Sequence, residues 1–309
     1  MRTILRSLAV GGGVALAGCG RTGPSVSPRA VRANGGHVRF EVLAAENFWG
    51  SIATQLAGGM ATVRSVIVDP NADPHSYAPS ARDARAMAEA NMVIVNGVGY
   101  DNWASQLLQA GSPSGPLVLD VGHLLKLRQG ANPHRWYFPS DVRTVVDRIV
   151  ADYDRLDPAG AGYFARRKQL FETSGLARYD MLRREIRSRY AGVPVGYSES
   201  IFQGLGEDLG LRLLTPYSFV KAIAEGTDVT AGDKQAVDTQ AEARRIAVWV
   251  FNGQNVTPDV QRVNQIAVAR HIPIVAITET LSPASASFEQ WQVAQLEGLL
   301  RALQTATGR

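Results

Sequence analysis

At 309 residues, the chain is long enough for two domains of ordinary size, each with a hydrophobic core of its own. Hydrophobic residues make up 45% of the sequence and charged residues 19%, which is typical of a globular protein and excludes a collagen-like or largely disordered chain. The formal net charge of +4 comes from scattered residues of both signs. No basic stripe with interleaved aromatic residues is visible, so the sequence argues against nucleic-acid binding.

The first nineteen residues have the pattern of an export signal. Arg2 and Arg6 precede an apolar stretch at 8–16 that is too short and too rich in glycine to span a bilayer. The stretch ends in Leu-Ala-Gly-Cys at 16–19, which matches a bacterial lipobox, in which the cysteine becomes the lipidated first residue. Cys19 is the only cysteine, so no disulfide can form within the chain. We therefore expect a lipid anchor on Cys19 that holds the protein on the outer side of the bacterial cell membrane. The alternative is an incidental cysteine in a plain signal peptide.

Residues 20–36, rich in Gly, Ser, Pro and Arg, predict a flexible tether. From residue 37 the pattern changes to short β-branched runs that alternate with helical stretches, which indicates an α/β lobe over 37–140 with a mostly parallel sheet. The predicted strands of this N-terminal lobe are 38–44, 63–68, 92–96 and 117–121, and the predicted helices are 47–58, 80–90 and 101–110.

The segment 141–192 lacks a strand pattern and carries apolar residues at helical spacing. We predict one helix, a break at Asp157-Pro158, and a second helix of about thirty residues, which would be roughly 45 Å long. Such a connector would be stiff and would limit how far the two lobes can separate. Gly175 is a weak point in this helix, because glycine costs about 1 kcal/mol relative to alanine there.

The C-terminal lobe, 193–309, repeats the α/β pattern without a visible sequence repeat. The predicted strands are 193–197, 212–214, 246–251 and 272–278, and the predicted helices are 200–209, 234–244, 258–270 and 286–306. The predicted fold is therefore α/β, with two lobes that each contain a mostly parallel sheet flanked by helices, joined by a long rigid connecting helix.

Two loops of the first lobe place a histidine directly after a proline. His75 lies in the polar loop 69–77, and His134 lies in Asn-Pro-His-Arg-Trp at 132–136. Both loops follow predicted strands, and ligands of open α/β sheets bind beyond the carboxyl ends of the strands. A lone loop histidine is usually just solvated, but two such loops in one lobe favour a metal site.

The second lobe has an acid in the matching places. Glu199 follows the strand predicted at 193–197, and Glu279 follows the strand predicted at 272–278. Each glutamate taken alone is typical of a solvated residue or of a helix N-terminus. Together with the two histidines, they predict a site in which two imidazoles face two carboxylates.

Several motifs, in order along the mature chain, resemble the zinc/manganese-binding solute-binding lipoproteins of ABC importers, the TroA-like or ZnuA-like family. The motifs are Asn-Phe-Trp at 47–49, Asp-Pro-His-Ser-Tyr at 73–77, Val-Asn-Gly at 95–97, Asn-Pro-His-Arg-Trp at 132–136, Leu-Asp-Pro-Ala at 156–159, Ser-Glu at 198–199 and Thr-Glu-Thr at 278–280.

The resemblance implies that His75 and His134 bind a metal ion from the first lobe. Glu199 falls where family members place histidine or glutamate, and Glu279 falls where many place aspartate. The His/Asp-rich loop that many zinc-specific members carry after the first histidine motif is missing, and residues 251–254 differ from the corresponding segment of the manganese-binding adhesin-like branch. The resemblance also implies one bound divalent ion, Zn²⁺ first and Mn²⁺ next, with Fe²⁺ possible, and an ABC transporter permease as the partner of a monomeric receptor.

Charge and coordination favour capture of a metal over catalysis. The two carboxylates neutralise a divalent ion, which lowers the cost of burying it, and four protein ligands can close a tetrahedral shell. The alternatives are a zinc-dependent hydrolase that uses Glu199 or Glu279 as a base, and a relative that binds a siderophore, haem or cobalamin on the same fold. The sequence contains no nucleophile elbow, phosphate loop or dinucleotide motif, so it does not favour an enzyme.

Overall fold

The computed structural model describes residues 33–34, 37–72, 74–112 and 115–309. The predicted export signal, Cys19 and most of the predicted tether lie outside the described residues. Near the end of that tether, strands β1 (Ala33–Asn34) and β2 (His37–Val38) form a short antiparallel pair. In the part of the chain that is described, no helix combines the length and the apolar character needed to cross a membrane.

The N-terminal lobe contains a four-stranded parallel sheet with the order β4-β3-β5-β6. All four residues of the inner strand β5 are buried, as expected for a strand that is covered by helices on both faces. The elements are β3 (Phe40–Glu46), α1 (Asn47–Ala57), β4 (Ala61–Ile67), α2 (Ala81–Glu89), β5 (Met92–Val95), α3 (Asn102–Ala110), β6 (Leu117–Asp120) and α4 (Val121–Leu124).

The connector begins with α5 (Pro139–Leu156), ends that helix at Asp157, and continues through a 3₁₀ turn at Pro158–Gly160. The break predicted at Asp157-Pro158 is therefore present. The following helix is not uniform, because α6 (Ala161–Leu170) passes into a π-helical turn at Phe171–Gly175 before α7 (Ala177–Tyr190). The π turn ends at Gly175, the position that the sequence marks as weak.

The C-terminal lobe contains the second parallel sheet, with the order β10-β9-β7-β8. Numbered from the first strand of its own lobe, each sheet has the strand order 2-1-3-4. The elements are β7 (Pro194–Tyr197), α8 (Gln203–Asp208), β8 (Arg212–Leu213), α9 (Tyr217–Ala224), α10 (Ala231–Glu242), β9 (Val248–Asn252), α11 (Pro258–Ala269), β10 (Ile274–Ile277) and α12 (Phe288–Thr307).

One hydrophobic core cluster extends through both lobes, and each lobe also has a smaller cluster of its own. A continuous cluster of buried side chains includes Phe48 of α1, Val145 of α5, Leu182 of α7 and Leu299 of α12. Helix α12 thus packs back against the connector and the first lobe. The lobes are therefore joined by packed helices on more than one path.

Hydrogen bonds support the same junction between α1 and the start of α12. The backbone N–H of Leu281 donates to Asn47 Oδ1 at 3.1 Å, and that of Phe288 donates to Ser51 Oγ at 2.9 Å. Because both bonds join residues more than 200 positions apart, they hold the two lobes in a fixed relation.

Candidate metal centre

His134 is the buried histidine of the site, with 1% of its surface exposed. It precedes the 3₁₀ turn Arg135–Tyr137, which leads into α5. Its Nδ1 lies 2.9 Å from Asn132 Oδ1, an acceptor, so Nδ1 carries the proton and Nε2 presents its lone pair to the cleft. Among the described residues, Nε2 is buried without a hydrogen-bond partner. Burial, followed by the nearby His75 and Arg135, holds the pKa of His134 well below its ordinary value, so the ring is in the neutral form that binds metal.

His75 lies on the exposed side of the site, in the loop between β4 and α2. The preceding Pro74 is buried, which anchors the backbone at this point. The imidazole meets the ring of Tyr100 edge-on, with the centroids 4.6 Å apart. One histidine is therefore accessible to solvent, while the other is enclosed.

Glu279 follows β10 and is 7% exposed. Its Oε2 accepts a hydrogen bond from the Tyr100 hydroxyl at 2.9 Å, and its Oε1 accepts one from Asn252 Nδ2 at 2.7 Å. Burial, with the charges of Glu279 and Glu46, raises the pKa of Tyr100 well above its ordinary value, so the phenol keeps the proton that it donates. Glu279 thus has a fixed orientation, with a hydrogen bond at each carboxylate oxygen.

Gln254 fixes the backbone of Glu279 and reaches the other lobe. Its Oε1 accepts the backbone N–H groups of Glu279 and Thr280 at 2.5 and 3.1 Å. Its Nε2 donates to the backbone carbonyl of Pro70, which lies in the loop that carries His75. A single carboxamide thereby joins the loops that hold two of the predicted ligands.

The structure brings three of the four predicted ligands together. His75, His134 and Glu279 each offer a ligand atom, and these atoms all lie within 4.8 Å of one another. Zinc bonds of about 2.0–2.1 Å place tetrahedral ligand atoms roughly 3.4 Å apart, so small side-chain rotations would bring the three onto one ion. The chemistry and spacing of the set therefore fit a divalent transition metal.

Glu199 is adjacent to this group but is not one of the three. It follows β7, is 2% exposed, and places Oε1 3.6 Å from Nε2 of His134. Its Oε2 accepts hydrogen bonds from Asn252 Nδ2 at 2.9 Å and from Asn255 Nδ2 at 3.1 Å. Glu199 therefore faces Nε2 of His134 from the second lobe, but it lies somewhat farther from the group of His75, His134 and Glu279.

The remaining histidines with described side chains lie outside the metal-ligand group. His123 is an exposed residue of α4, and His271 lies just beyond the end of α11 with a φ of 53°.

Aromatic side chains close the rear of the site. Phe48 stacks on Trp136 with the ring centroids 3.9 Å apart, and Trp136 meets His134 edge-on at 5.3 Å. Trp49 donates from Nε1 to Asn96 Oδ1 at 3.1 Å, and Asn96 Nδ2 donates to the carbonyl of Pro133 at 2.9 Å. This packing excludes water behind the imidazole and fixes its loop.

Two buried acids lie in the first lobe near Tyr100. Glu46, the last residue of β3, receives no ordinary hydrogen bond among the described residues, but its carboxyl lies within hydrogen-bond reach of Asp101. Burial first, and then Asp101, raises the pKa of Glu46 well above its ordinary value. Burial also raises the pKa of Asp101 to about 6, against the opposing hydrogen bonds from the backbone of Asn96 and Gly97. Burial therefore favours the protonated form of Glu46.

The side chains that orient the acids, namely Tyr100, Asn252 and Gln254, were not predicted from the sequence. Asn252 ends β9, and in each sheet the gap between the first and third strands of the lobe is the point where the chain order reverses. Ligands of open sheets bind at such points. The strand order, rather than the residue type, is thus the signal that identifies Asn252.

The site opens into a cleft of about 580 Å³ between the lobes. Its walls include the histidine loops of the first lobe and, from the second lobe, residues around Ser200, Tyr217, Gln254 and Glu279. An ion can therefore reach the ligands directly from solvent.

The family model described as "ZnuA: Zinc-uptake complex component A periplasmic" matches residues 42–302. Among curated relatives, the iron-binding protein YfeA of Yersinia pestis is 28% identical over 185 residues, which cover 56% of this chain and 58% of that protein. The manganese-binding lipoprotein MntA of Halalkalibacterium halodurans is 26% identical over 137 residues, which cover 43% of this chain and 45% of that protein. The chain thus spans about half the length of the curated relatives it matches.

Solved structures with the same fold include the cadmium-bound periplasmic metal-binding protein of Candidatus Liberibacter asiaticus. It has a TM-score of 0.71 at 16% identity, and the match covers 85% of this chain and 99% of that one. The periplasmic zinc-binding protein TroA of Treponema pallidum has a TM-score of 0.70 at 15% identity, with 87% and 99% covered. The predicted fold class of two parallel sheets flanked by helices is confirmed.

Proposed function

Because the chain belongs to the ZnuA family of periplasmic zinc-uptake components, we propose that it is the extracytoplasmic receptor of an ABC importer. It captures one divalent transition-metal ion between its lobes and delivers the ion to a membrane permease. The observation that carries this proposal is the convergence of His75 and His134 from the first lobe with Glu279 from the second.

The proposed ligands are His75, His134, Glu199 and Glu279. Two neutral imidazoles and two carboxylates balance the charge of a divalent ion, so the bound site is electrically neutral. Glu199 closes the shell by a short movement of Oε1, which already faces Nε2 of His134 at 3.6 Å. We assign the site to binding rather than to hydrolysis because four protein ligands leave no position for a reactive water.

We propose zinc as the metal, with manganese as the next choice and iron(II) as a further member of the same class. Two nitrogen and two oxygen ligands suit tetrahedral zinc. The named relatives are described with iron, manganese, zinc and cadmium, so the family name alone does not choose among the metals. Zinc also binds more tightly than manganese or iron(II) to a given set of such ligands.

The place of the protein in the cell rests on the export signal and on the lipobox at 16–19. We propose that Cys19 carries a lipid and that residues 20–36 link it to the first lobe, so that a monomeric receptor remains close to its permease. Mass spectrometry of the protein extracted from membranes tests the anchor, because lipidation adds acyl mass to Cys19. An unmodified Cys19 in the membrane-extracted protein would contradict it.

Metal analysis of the purified protein tests the site. Wild-type protein should bind one equivalent of zinc, and the double variant His75→Ala, His134→Ala should bind none. The matched control is His123→Ala, His271→Asn, which alters two histidines outside the group and uses asparagine at 271 because φ is positive there. A full equivalent retained by the His75, His134 variant would refute the proposed site.

A further inference from the structure

Asn252 donates hydrogen bonds to both acids of the site through one nitrogen atom. Its Nδ2 lies 2.9 Å from Glu199 Oε2 and 2.7 Å from Glu279 Oε1, and the residue is fully buried. The rest of Asn252 is also held: its Oδ1 accepts the backbone N–H of Gln254 at 2.9 Å, and its backbone N–H donates to Ser198 Oγ at 3.1 Å. The carboxamide therefore has a fixed position, with one proton for each carboxylate.

Other donors complete the orientation of the two acids. The Tyr100 hydroxyl donates to Oε2 of Glu279 at 2.9 Å, so each oxygen of this acid accepts a hydrogen bond. Asn255 donates to Oε2 of Glu199 at 3.1 Å, so that oxygen has two donors while Oε1 faces His134. Both carboxylate planes are thus set before an ion arrives.

A carboxylate that binds a metal through both oxygens must turn both of them toward the ion. For Glu199, that rotation would move Oε2 away from the N–H groups of Asn252 and Asn255. For Glu279, it would disturb the bonds from Asn252 and Tyr100. In either case two hydrogen bonds would be disturbed at once, whereas binding through one oxygen leaves both donors of Glu199 and one donor of Glu279 in place.

We infer that Asn252 sets metal selectivity by limiting Glu199 and Glu279 to one metal-bound oxygen each. The inference rests on the proposed function and deepens it, because it names zinc-like four-coordinate ions as the class of ion that the site favours. Manganese prefers a larger, oxygen-rich shell, which carboxylates bound through both oxygens would supply. The fixed acids withhold those additional oxygens.

Cobalt(II) reports the shell directly, because a four-coordinate cobalt ion absorbs visible light much more strongly than a five- or six-coordinate one. We expect intense visible bands from cobalt bound to the wild type, and weaker bands from Asn252→Ala, in which the acids are released. Competition titrations should show that zinc binds the wild type much more tightly than manganese does, and that this preference falls about tenfold or more in the variant.

A second substitution of Asn252 and a matched control complete the experiment. Asn252→Asp preserves the shape of the side chain and removes both N–H donors, so it should also weaken the cobalt bands. It serves as the test variant if Asn252→Ala does not fold. Asn264→Ala is the matched control. Asn264 lies in α11 and accepts a hydrogen bond at 2.7 Å from Trp249, which is on the same strand as Asn252, and it does not hydrogen-bond to the acids. Its cobalt spectrum and zinc preference should equal those of the wild type.

The outcomes separate this inference from the proposed function. Weak cobalt bands in the wild type, or variants of Asn252 with unchanged bands and an unchanged zinc preference, would overturn the role of Asn252 alone. A wild-type protein that binds no divalent transition-metal ion would overturn the proposed function, and the inference with it.

Discussion

Replacing Glu46 by glutamine should stabilise the metal-free protein at pH 8 and leave its stability nearly unchanged at pH 4. Burial and the adjacent Asp101 raise the pKa of Glu46 well above its ordinary value. In the unfolded chain the same carboxyl ionises near its usual pKa of about 4.3. Above that pH, folding must therefore take up a proton or bury a charge. Glutamine has nearly the same shape and needs no proton.

Asp101 gives the size of such an effect. Its pKa rises from 3.8 to about 6 at a fully buried position, which corresponds to about 3 kcal/mol. An acid whose pKa is raised by folding makes the folded protein more stable at low pH than at high pH. This contribution to the free energy of unfolding is fully present below the unfolded pKa and is lost as the pH rises through the folded value. The window for Asp101 is thus about pH 4 to 6, and Glu46 adds a decline of the same sign above pH 4.

The assay is urea denaturation of wild type and Glu46→Gln in EDTA between pH 4 and pH 8. The free-energy difference between the two proteins should grow with pH, by up to about 1.4 kcal/mol per pH unit for one proton. Glu41→Gln is the control, because Glu41 lies on the same strand in an exposed ion pair with Arg64, where a change of at most about 1 kcal/mol is expected. A Glu46 variant that is less stable than wild type by the same amount at every pH would refute the reasoning.

Three further outcomes are expected from single substitutions. Because the pKa of the buried His134 is low, the unfolded chain binds a proton on this residue at a pH where the folded chain does not. Wild type in EDTA should therefore lose stability relative to His134→Gln as the pH falls below about 6.5, as measured by thermal unfolding. Gly204→Ala places a methyl group 2.5 Å from the ring of Phe138 and should cost about 1–3 kcal/mol in urea unfolding, whereas Gly232→Ala, with open space around it, should be neutral or stabilising. Trp49→Phe removes the hydrogen bond to a buried asparagine and should cost about 1–3 kcal/mol by the same measurement, and an unchanged midpoint would contradict the importance of that bond.

Much of the fold follows from local pattern, because parallel strands buried on both faces are short apolar runs between helices. Helix α9 (Tyr217–Ala224) was missed because its aromatic and β-branched residues do not favour a helix by themselves. It forms because Phe219, Val220 and Ile223 are buried on one face. The π turn at Phe171–Gly175 also lacks a sequence pattern of its own, although Gly175 marks the place where the helix is weakest.

The sequence predicts the histidines and glutamates of the site, but not the side chains that hold them in place. His75 and His134 each follow a proline in a loop, and the glutamates follow strands, so their approach could be expected from the sequence alone. Asn252 and Tyr100 are of residue types that occur throughout a protein, and their role depends on distances below 3 Å across the two lobes and strands. Such distances are set by the packing of the sheets and are not encoded in any local motif.

The hydrophobic core shared by the two lobes limits how far the lobes can separate. A wide hinge opening would expose apolar surface along α12 and the connector, and parting about 200 Å² of it would cost about 5 kcal/mol. Displacing the loop that carries the exposed His75 leaves that surface covered. In the proposed function, the permease would therefore meet a nearly rigid body, and the ion would enter and leave past the exposed His75 while the buried His134 stays in place.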